Sequence, residues 1–103
     1  MTNLYCRDGA DVHANRGETS LLMHAAPHMV RPGAAFDVED VTPGRVWSYD
    51  MTRTTPTGVV GRPTEATRED GELMAETLVE DFAALLNTAR IEEWPKVPPG
   101  PLV

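Results

Sequence analysis

The stretch Asp11–Ser20, DVHANRGETS, carries a histidine and a glutamate in positions where they could do chemistry. His13 lies among alanine, asparagine and glycine, which suit tight turns and the close approach of a ligand. Glu18 follows where an apolar, helix-like run begins. A loop histidine beside a helix start can act as a general acid or base, and a nearby carboxylate can fix its tautomer. A first-turn acid favoured by the helix dipole and a polar loop histidine would look the same. The residue types alone leave both interpretations open and favour the structural one.

His24 and His28 form a second candidate, because a spacing of four residues places two ligands on one helix face, as in zinc sites. Pro27 stands between them and should break that helix, and no glutamate follows His24 as in the zinc-protease pattern. We therefore interpret the pair as polar residues at a helix end. A stand-alone metal-binding module built on them is the weakest functional alternative. Cys6, a lone cysteine, has little support as a nucleophile.

Two helices must position these residues. The first is predicted from Glu18 to Ala26, capped by Thr19 or a neighbour and ended by Pro27. The second is predicted from about Arg68 to Asn87 or a little beyond, with Thr67 as its N-cap. In the second helix, apolar residues recur at spacings of three and four, so one face should lie on a core while the acidic face meets solvent.

The segments around the second helix favour little regular structure. Residues 45–51, RVWSYDM, contain β-formers and predict a short strand, in which Trp47 and Tyr49 are expected to be buried rather than to form a pocket wall. Val59 and Val60 predict a short extended piece. The tail after Glu93 is rich in proline and should be an extended arm. Two helices and two or three short strands do not make a convincing sheet, so the sequence looks like part of something larger.

Composition narrows the function classes. The chain has 103 residues and a net charge of −7, which argues against nucleic acid or an anionic membrane as the main partner. A single cysteine permits no disulfide within the chain, and the N-terminus has no apolar signal region. We therefore predict a cytoplasmic location.

Two motifs resemble the creatininase family of metal-dependent amidohydrolases. The first resembles the family's Asp-x-His-Ala-Gly-x-x-Glu-Thr-Ser pattern, except that Asn15 replaces the usual glycine. The second resembles the family's Gly-x-Pro-x-x-Ala-Thr-x-Glu-x-Gly lead into a last helix. The order of the two motifs is also that of the family. The first motif matches at Asp11, His13, Ala14, Glu18, Thr19 and Ser20, and the second at Gly61, Pro63, Ala66, Thr67, Glu69 and Gly71.

The resemblance implies a three-layer α/β/α fold around a mostly parallel sheet, a higher oligomer, and two Zn or Mn ions that activate water to cleave a non-peptide amide C–N bond, cyclic or linear. It implies that His13 contacts the substrate and delivers a proton to the leaving nitrogen. Glu18 would act beside it as a positioning group. Asp11, His13 and Asn15 are assigned to the substrate side.

The family's metal ligands include a Glu-x-His motif, and no such motif occurs in this sequence. We therefore expect residues 1–93 to be the C-terminal segment of a creatininase-like domain, with 94–103 as a Pro-rich extended tail. The chain would be that segment or a separately encoded small subunit, inactive alone, whose protein partner holds the metals and most of the sheet. The alternative is a non-catalytic structural or regulatory subunit, or a degenerate remnant of the family. The substrate, a small-molecule amide, is not named by the sequence.

Overall fold

The computed structural model describes residues 13–101. Within them, three α-helices follow one another: α1 (Arg16–Ala25), α2 (Met51–Thr54) and α3 (Arg68–Ile91). Three single turns of 3-10 helix, each beginning at a proline, lie between them at Pro27–Met29, Pro32–Ala34 and Pro63–Glu65. Proline suits such starts because its fixed φ is helical and it has no N–H to leave unsatisfied.

Helix α1 begins two residues earlier than predicted. Its N-cap is Asn15, whose side-chain oxygen accepts a hydrogen bond from the backbone N–H of Arg16. Thr19 is therefore not the cap; its hydroxyl instead donates to the carbonyl oxygen of Ala14 at 3.2 Å. The helix ends at Ala25, immediately before the Ala26–Pro27 step, as the proline predicts.

Helix α3 confirms the clearest prediction from the sequence. Thr67 is its N-cap, with the hydroxyl oxygen accepting a hydrogen bond from the Asp70 N–H at 3.1 Å. The acidic first turn suits the positive end of the helix dipole. The helix continues to Ile91, four residues past the predicted Asn87, because no helix-breaking residue intervenes.

The first turn of α3 crosses α1 closely, and this crossing organises the described part of the chain. Gly71 is buried there, against the backbone of Ser20. Ser20 is fully buried, and its hydroxyl oxygen accepts a hydrogen bond from the Thr67 N–H at 3.1 Å. Beside this contact, Nη2 of Arg16 lies 2.7 Å from a carboxylate oxygen of Asp70. A small residue, a buried hydroxyl and an ion pair thus fix one helix on the other.

The predicted strands are absent from residues 13–101. In this described range a single antiparallel bridge joins Val38 to Gly61, and no strand is formed. Residues 45–50 are irregular, with a bend at Val46 and Trp47, and Met51 begins α2; Trp47 is 76% and Tyr49 49% exposed. The β-formers in this segment have no neighbouring strand to pair with, and strand propensity depends on such pairing and on burial.

The described residues bury very little apolar surface. Among them Val60, at 6% exposure, is the buried hydrophobic residue. The radius of gyration is 19.4 Å, whereas a compact chain of about 100 residues has about 13 Å. The apolar face of α3 past the crossing is solvent-exposed at Leu73, Val79, Phe82, Leu85, Leu86 and Ile91. The predicted core beneath this part of α3 is therefore not found within residues 13–101.

The tail beyond α3 is exposed and forms neither helix nor strand as far as residue 101. The division of the chain at residue 93 into a domain segment and an arm stays a prediction. No helix in the described part of the chain combines the length and the apolar character needed to cross a membrane.

Candidate functional site

His13 lies in a tight left-handed turn just before α1. His13 and Ala14 have φ values of 65° and 58°, a region that non-glycine residues seldom occupy. Three contacts hold the turn. The His13 carbonyl oxygen accepts a hydrogen bond from the Val60 N–H at 3.0 Å. Oε2 of Glu18 accepts one from the Ala14 N–H at 2.7 Å, and Thr19 donates to the Ala14 carbonyl. The His13 side chain remains exposed.

The geometry gives Glu18 a definite structural task. From the third position of α1 its carboxylate reaches back to the backbone before the N-cap, much as in a capping box. This satisfies an N–H in the strained turn that carries His13. The arrangement can fix the backbone from which the His13 side chain projects, and it uses one oxygen of the carboxylate to do so.

Asn15 joins the two sequence motifs. Its side-chain oxygen accepts hydrogen bonds from the N–H groups of Arg16, at 2.6 Å, and Arg62, at 2.8 Å. Gly61 lies directly against this carboxamide with a φ of 102°, and a Cβ there would approach the Asn15 side chain to less than 3.0 Å. The glycine therefore permits both the backbone conformation and the close approach. Asn15, which departs from the family pattern, thus connects the second motif to the first by a hydrogen bond.

Asp40 is an acidic neighbour of His13 that the sequence reasoning missed. The Thr42 hydroxyl and backbone N–H donate to one Asp40 oxygen at 2.5 and 3.0 Å. These hydrogen bonds lower the pKa of Asp40 below its usual value, and the nearby charge of His13 lowers that pKa too. The two residues are far apart in sequence. The available signal was the Asp-x-Thr spacing, typical of a turn in which the aspartate accepts from the residue two positions on.

Asp37 holds the second motif from the same segment. It accepts hydrogen bonds from the Thr64 N–H at 3.1 Å and from the Thr64 hydroxyl at 2.7 and 2.8 Å. The Thr64 hydrogen bonds and the positive charge of Arg62 lower the pKa of Asp37. Arg62 in turn pairs with Glu65 at 3.1 Å, which raises the pKa of the guanidinium. Both aspartates of the segment 37–42 therefore have lowered pKa values.

His24 and His28 do not lie on one continuous helix. His24 is in the last turn of α1, and His28 is in the 3-10 turn that follows Pro27. Residues 13–101 contain no group of three or more His, Cys, Asp or Glu side chains that could hold a metal ion. This part of the chain therefore does not fit the two-metal centre that the family resemblance implies. The buried Nδ1 of His24 has no hydrogen-bond partner within it.

Three of the four predicted site residues come together at the start of α1. His13 is in the turn, Glu18 bonds that turn, and Asn15 caps the helix. Asp11 lies outside the described residues. Whether His13, Glu18, Asp11 or Asn15 contacts a substrate stays a prediction.

Comparison with known proteins shows the family to which the chain belongs. It belongs to the creatininase family, since the model of that family, described as creatinine amidohydrolase, matches residues 2–86. A relative from Mycobacterium ulcerans (strain Agy99), called a mycofactocin precursor peptide peptidase, is 31% identical over 99 residues. The match covers 91% of this chain but 37% of that relative. No solved structure matches the chain significantly.

The family membership confirms the resemblance drawn from the two motifs. The family suggests an α/β fold, whereas the described residues are helical and have no strands of their own. The chain spans well under half the length of the relative that it matches.

Proposed function

We propose that this chain is one part of an amide-hydrolysing enzyme of the creatininase family, and that it contributes the substrate-side histidine. The observation that carries the proposal is the contact between the two family motifs. Asn15 and Gly61 meet, Ser20 bonds Thr67, and the turn that results presents an exposed imidazole. A site residue held by backbone contacts on two sides is preorganised for proton transfer.

The chemistry assigned to this chain is proton delivery. Hydrolysis of an amide C–N bond requires a proton on the leaving nitrogen, and a histidine can supply one near neutral pH. His13 is the proposed donor. Glu18 is the proposed positioning residue, because its carboxylate bonds the Ala14 N–H next to the histidine. Asp11 and Asn15 remain proposed on the substrate side.

The metal ions, Zn or Mn, belong to the part of the enzyme that this proposal assigns to a partner chain. The family is typically metal-dependent, and residues 13–101 offer no suitable group of ligands. We further propose that the partner carries a Glu-x-His motif and most of the sheet, and that the complete enzyme is a higher oligomer. Support comes from the share of the relative that the chain spans, 37%, and from the exposed apolar face of α3.

The substrate class is proposed as an amide, in two variants. The family resemblance implies a non-peptide amide, cyclic or linear. The name of the mycobacterial relative, a peptidase for a precursor peptide, supports a peptide amide instead. Both are cleaved at a C–N bond and need a proton on the leaving nitrogen, so the role of His13 is common to them.

The decisive experiment is reconstitution with a partner chain that bears Glu-x-His. We expect the complex, supplied with Zn or Mn, to hydrolyse an amide substrate, while the 103-residue chain alone does not. In that complex His13→Ala should lower turnover by about a hundredfold or more, the usual contribution of a general acid, while assembly is preserved. His28→Ala is the matched control, because His28 is also exposed but lies in the turn after α1.

A non-catalytic structural or regulatory subunit is the second candidate. The absence of a metal-ligand group from residues 13–101 and the exposed apolar face of α3 favour it. In that case His13→Ala and His28→Ala would behave alike, with both complexes assembled and turnover unchanged. Hydrolysis of an amide by the purified chain alone would contradict both candidates.

A further inference from the structure

An open cleft of about 440 Å³ lies along the segment between the bridge at Val38 and helix α2. Its walls combine aliphatic, aromatic, hydroxyl and guanidinium groups. Six residues line it: Val41, Thr42, Arg45, Tyr49, Arg53 and Thr54. None of the six is acidic, although the whole chain has a net charge of −7. The cleft therefore brings two guanidinium groups together in an acidic protein, with Asp50 and Asp40 at its border.

Each of the two arginines is anchored through its Nε atom. Nε of Arg45 donates to the Val41 carbonyl oxygen at 3.4 Å, and Nε of Arg53 lies 3.5 Å from a carboxylate oxygen of Asp50. Within residues 13–101 their terminal nitrogens make no hydrogen bond or ion pair. A guanidinium anchored through Nε still presents two terminal N–H groups, which can bond a planar carboxylate in bidentate fashion.

The remaining walls suit an organic group rather than a bare ion. Tyr49 and Val41, each about half exposed, supply an aromatic ring and an aliphatic surface. The Thr42 hydroxyl is engaged with Asp40, and the Thr54 hydroxyl with the Met51 carbonyl. Ligand sites commonly combine apolar walls with a few polar groups that set orientation. A ligand with a carboxylate attached to an apolar or aromatic group matches both the arginines and the apolar walls of this cleft.

The cleft also adjoins the candidate site. Val41 and Thr42 follow shortly after Val38, which pairs with Gly61, and the neighbouring Val60 N–H donates to the His13 carbonyl oxygen. A ligand held by the arginines would therefore lie a few residues along the chain from the contacts that hold the His13 turn.

We propose that this cleft binds the free carboxylate of the substrate and thereby selects amides that also carry a carboxylate, such as a peptide with its C-terminus. That the ligand is the substrate rests on the proposed function above; that the cleft binds a carboxylate does not. The structure assigns Arg45 and Arg53 to the carboxylate, and Tyr49 to the adjacent apolar group.

The test is direct binding to the 103-residue chain, with a matched pair of probes. N-acetyl-phenylalanine and N-acetyl-phenylalaninamide share a ring and differ in the carboxylate, and calorimetric titration measures both. We expect the acid to bind at least about tenfold more tightly than the amide, since hydrogen bonds to charged groups are worth about that factor each. Arg45→Gln or Arg53→Gln should each weaken binding of the acid by about tenfold.

Arg90→Gln is the charge-matched control, because Arg90 lies in the last turn of α3 and does not line the cleft. It should leave binding of the acid unchanged. Both cleft arginines are exposed, so far-UV circular dichroism should show the same helix content in every variant. Tyr49→Ala should weaken binding of the acid and leave binding of inorganic phosphate unaltered.

Three results would overturn the proposal: equal binding of the acid and the amide, an equal loss with Arg90→Gln, or phosphate binding as tight as that of the acid. The last would indicate a site for simple anions. Because no turnover is measured, failure here leaves the reconstitution result for His13 unaffected. An inactive complex, in turn, leaves the binding result intact.

Discussion

Gly71→Ala tests the helix crossing on which the candidate site depends. A Cβ at residue 71 would lie 2.5 Å from the carbonyl carbon of Ser20 and closer still to its oxygen, whereas ordinary contacts begin at 3.4 Å. The obstructing atoms belong to the backbone of α1 and cannot rotate away. The two helices must therefore separate by about 1 Å or more, which also stretches the Ser20–Thr67 hydrogen bond.

Two effects of opposite sign decide the outcome. Alanine in a helix interior is favoured over glycine by about 1 kcal/mol. Overpacking a close contact typically costs about 1–3 kcal/mol, and a rigid backbone neighbour puts Gly71 at the upper end. We expect a net loss of about 1–2 kcal/mol, which corresponds to a fall in melting temperature of roughly 4–16 °C for a chain of this size.

The assay is thermal unfolding followed by far-UV circular dichroism. Gly33→Ala is the control, because an added Cβ there would meet nothing within 4 Å and its backbone is not in the left-handed region. Its effect should stay within about 0.5 kcal/mol. If Gly71→Ala instead raised the melting temperature, as helix propensity alone requires, the close crossing of α1 and α3 would be refuted.

Two further predictions concern the same crossing. Ser20→Ala should destabilise the chain by about 0.5–1.5 kcal/mol, because the part-buried Thr67 N–H loses its acceptor. Thr88→Ala, on the exposed surface of α3, should have little effect, and equal melting temperatures of the two variants would contradict the role of Ser20. For Asp70, hydrogen bonding and ion pairing with Arg16 lower the folded-state pKa below 3.8. Its contribution is therefore present above the unfolded pKa and lost as pH falls through the lower, folded value. Since both side chains are more than a third exposed, we expect it to be under about 1 kcal/mol. Asp70→Asn should lose less stability than the wild type between about pH 5 and pH 2, measured by thermal unfolding; identical pH dependence would argue against the ion pair.

Local signals predicted the parts of the fold that depend on local physics. The Thr67 cap and the end of α1 before Pro27 both follow from a few neighbouring residues. The prediction of Thr19 as the cap of α1 is wrong, because Asn15 and Thr19 are both good capping residue types. Asn15 is the cap in the structure, where it also accepts a second hydrogen bond, from the Arg62 N–H. That bond joins residues far apart in sequence, and no local pattern reveals it.

The predicted strands are absent because strands depend on contacts between segments that are distant in sequence. Val46, Trp47 and Tyr49 have β-forming side chains, but a strand needs a partner for its backbone groups, and none is supplied by residues 13–101. The same limit applies to Asp40. Its place beside His13 arises because the segment folds back toward Gly61, a tertiary effect. The left-handed turn at His13 carries no glycine at residue 13 or 14 and so gave no sequence signal.

The contrast between the two ends of α3 indicates how the chain works. At its first turn the helix is fixed by a buried glycine and a buried hydroxyl from the two family motifs, and by an ion pair between variable positions of the same stretches. Past that turn its apolar face is exposed, with Phe82 at 58%. An apolar stripe of this length on a helix ordinarily covers a core or a partner. The motifs thus build a rigid corner around His13, while the rest of α3 extends from it as a surface to be covered. Such a division agrees with the proposal that the chain brings an imidazole to an enzyme whose core lies elsewhere. On that proposal, we expect assembly on α3 and proton transfer at His13 to be separable by mutation.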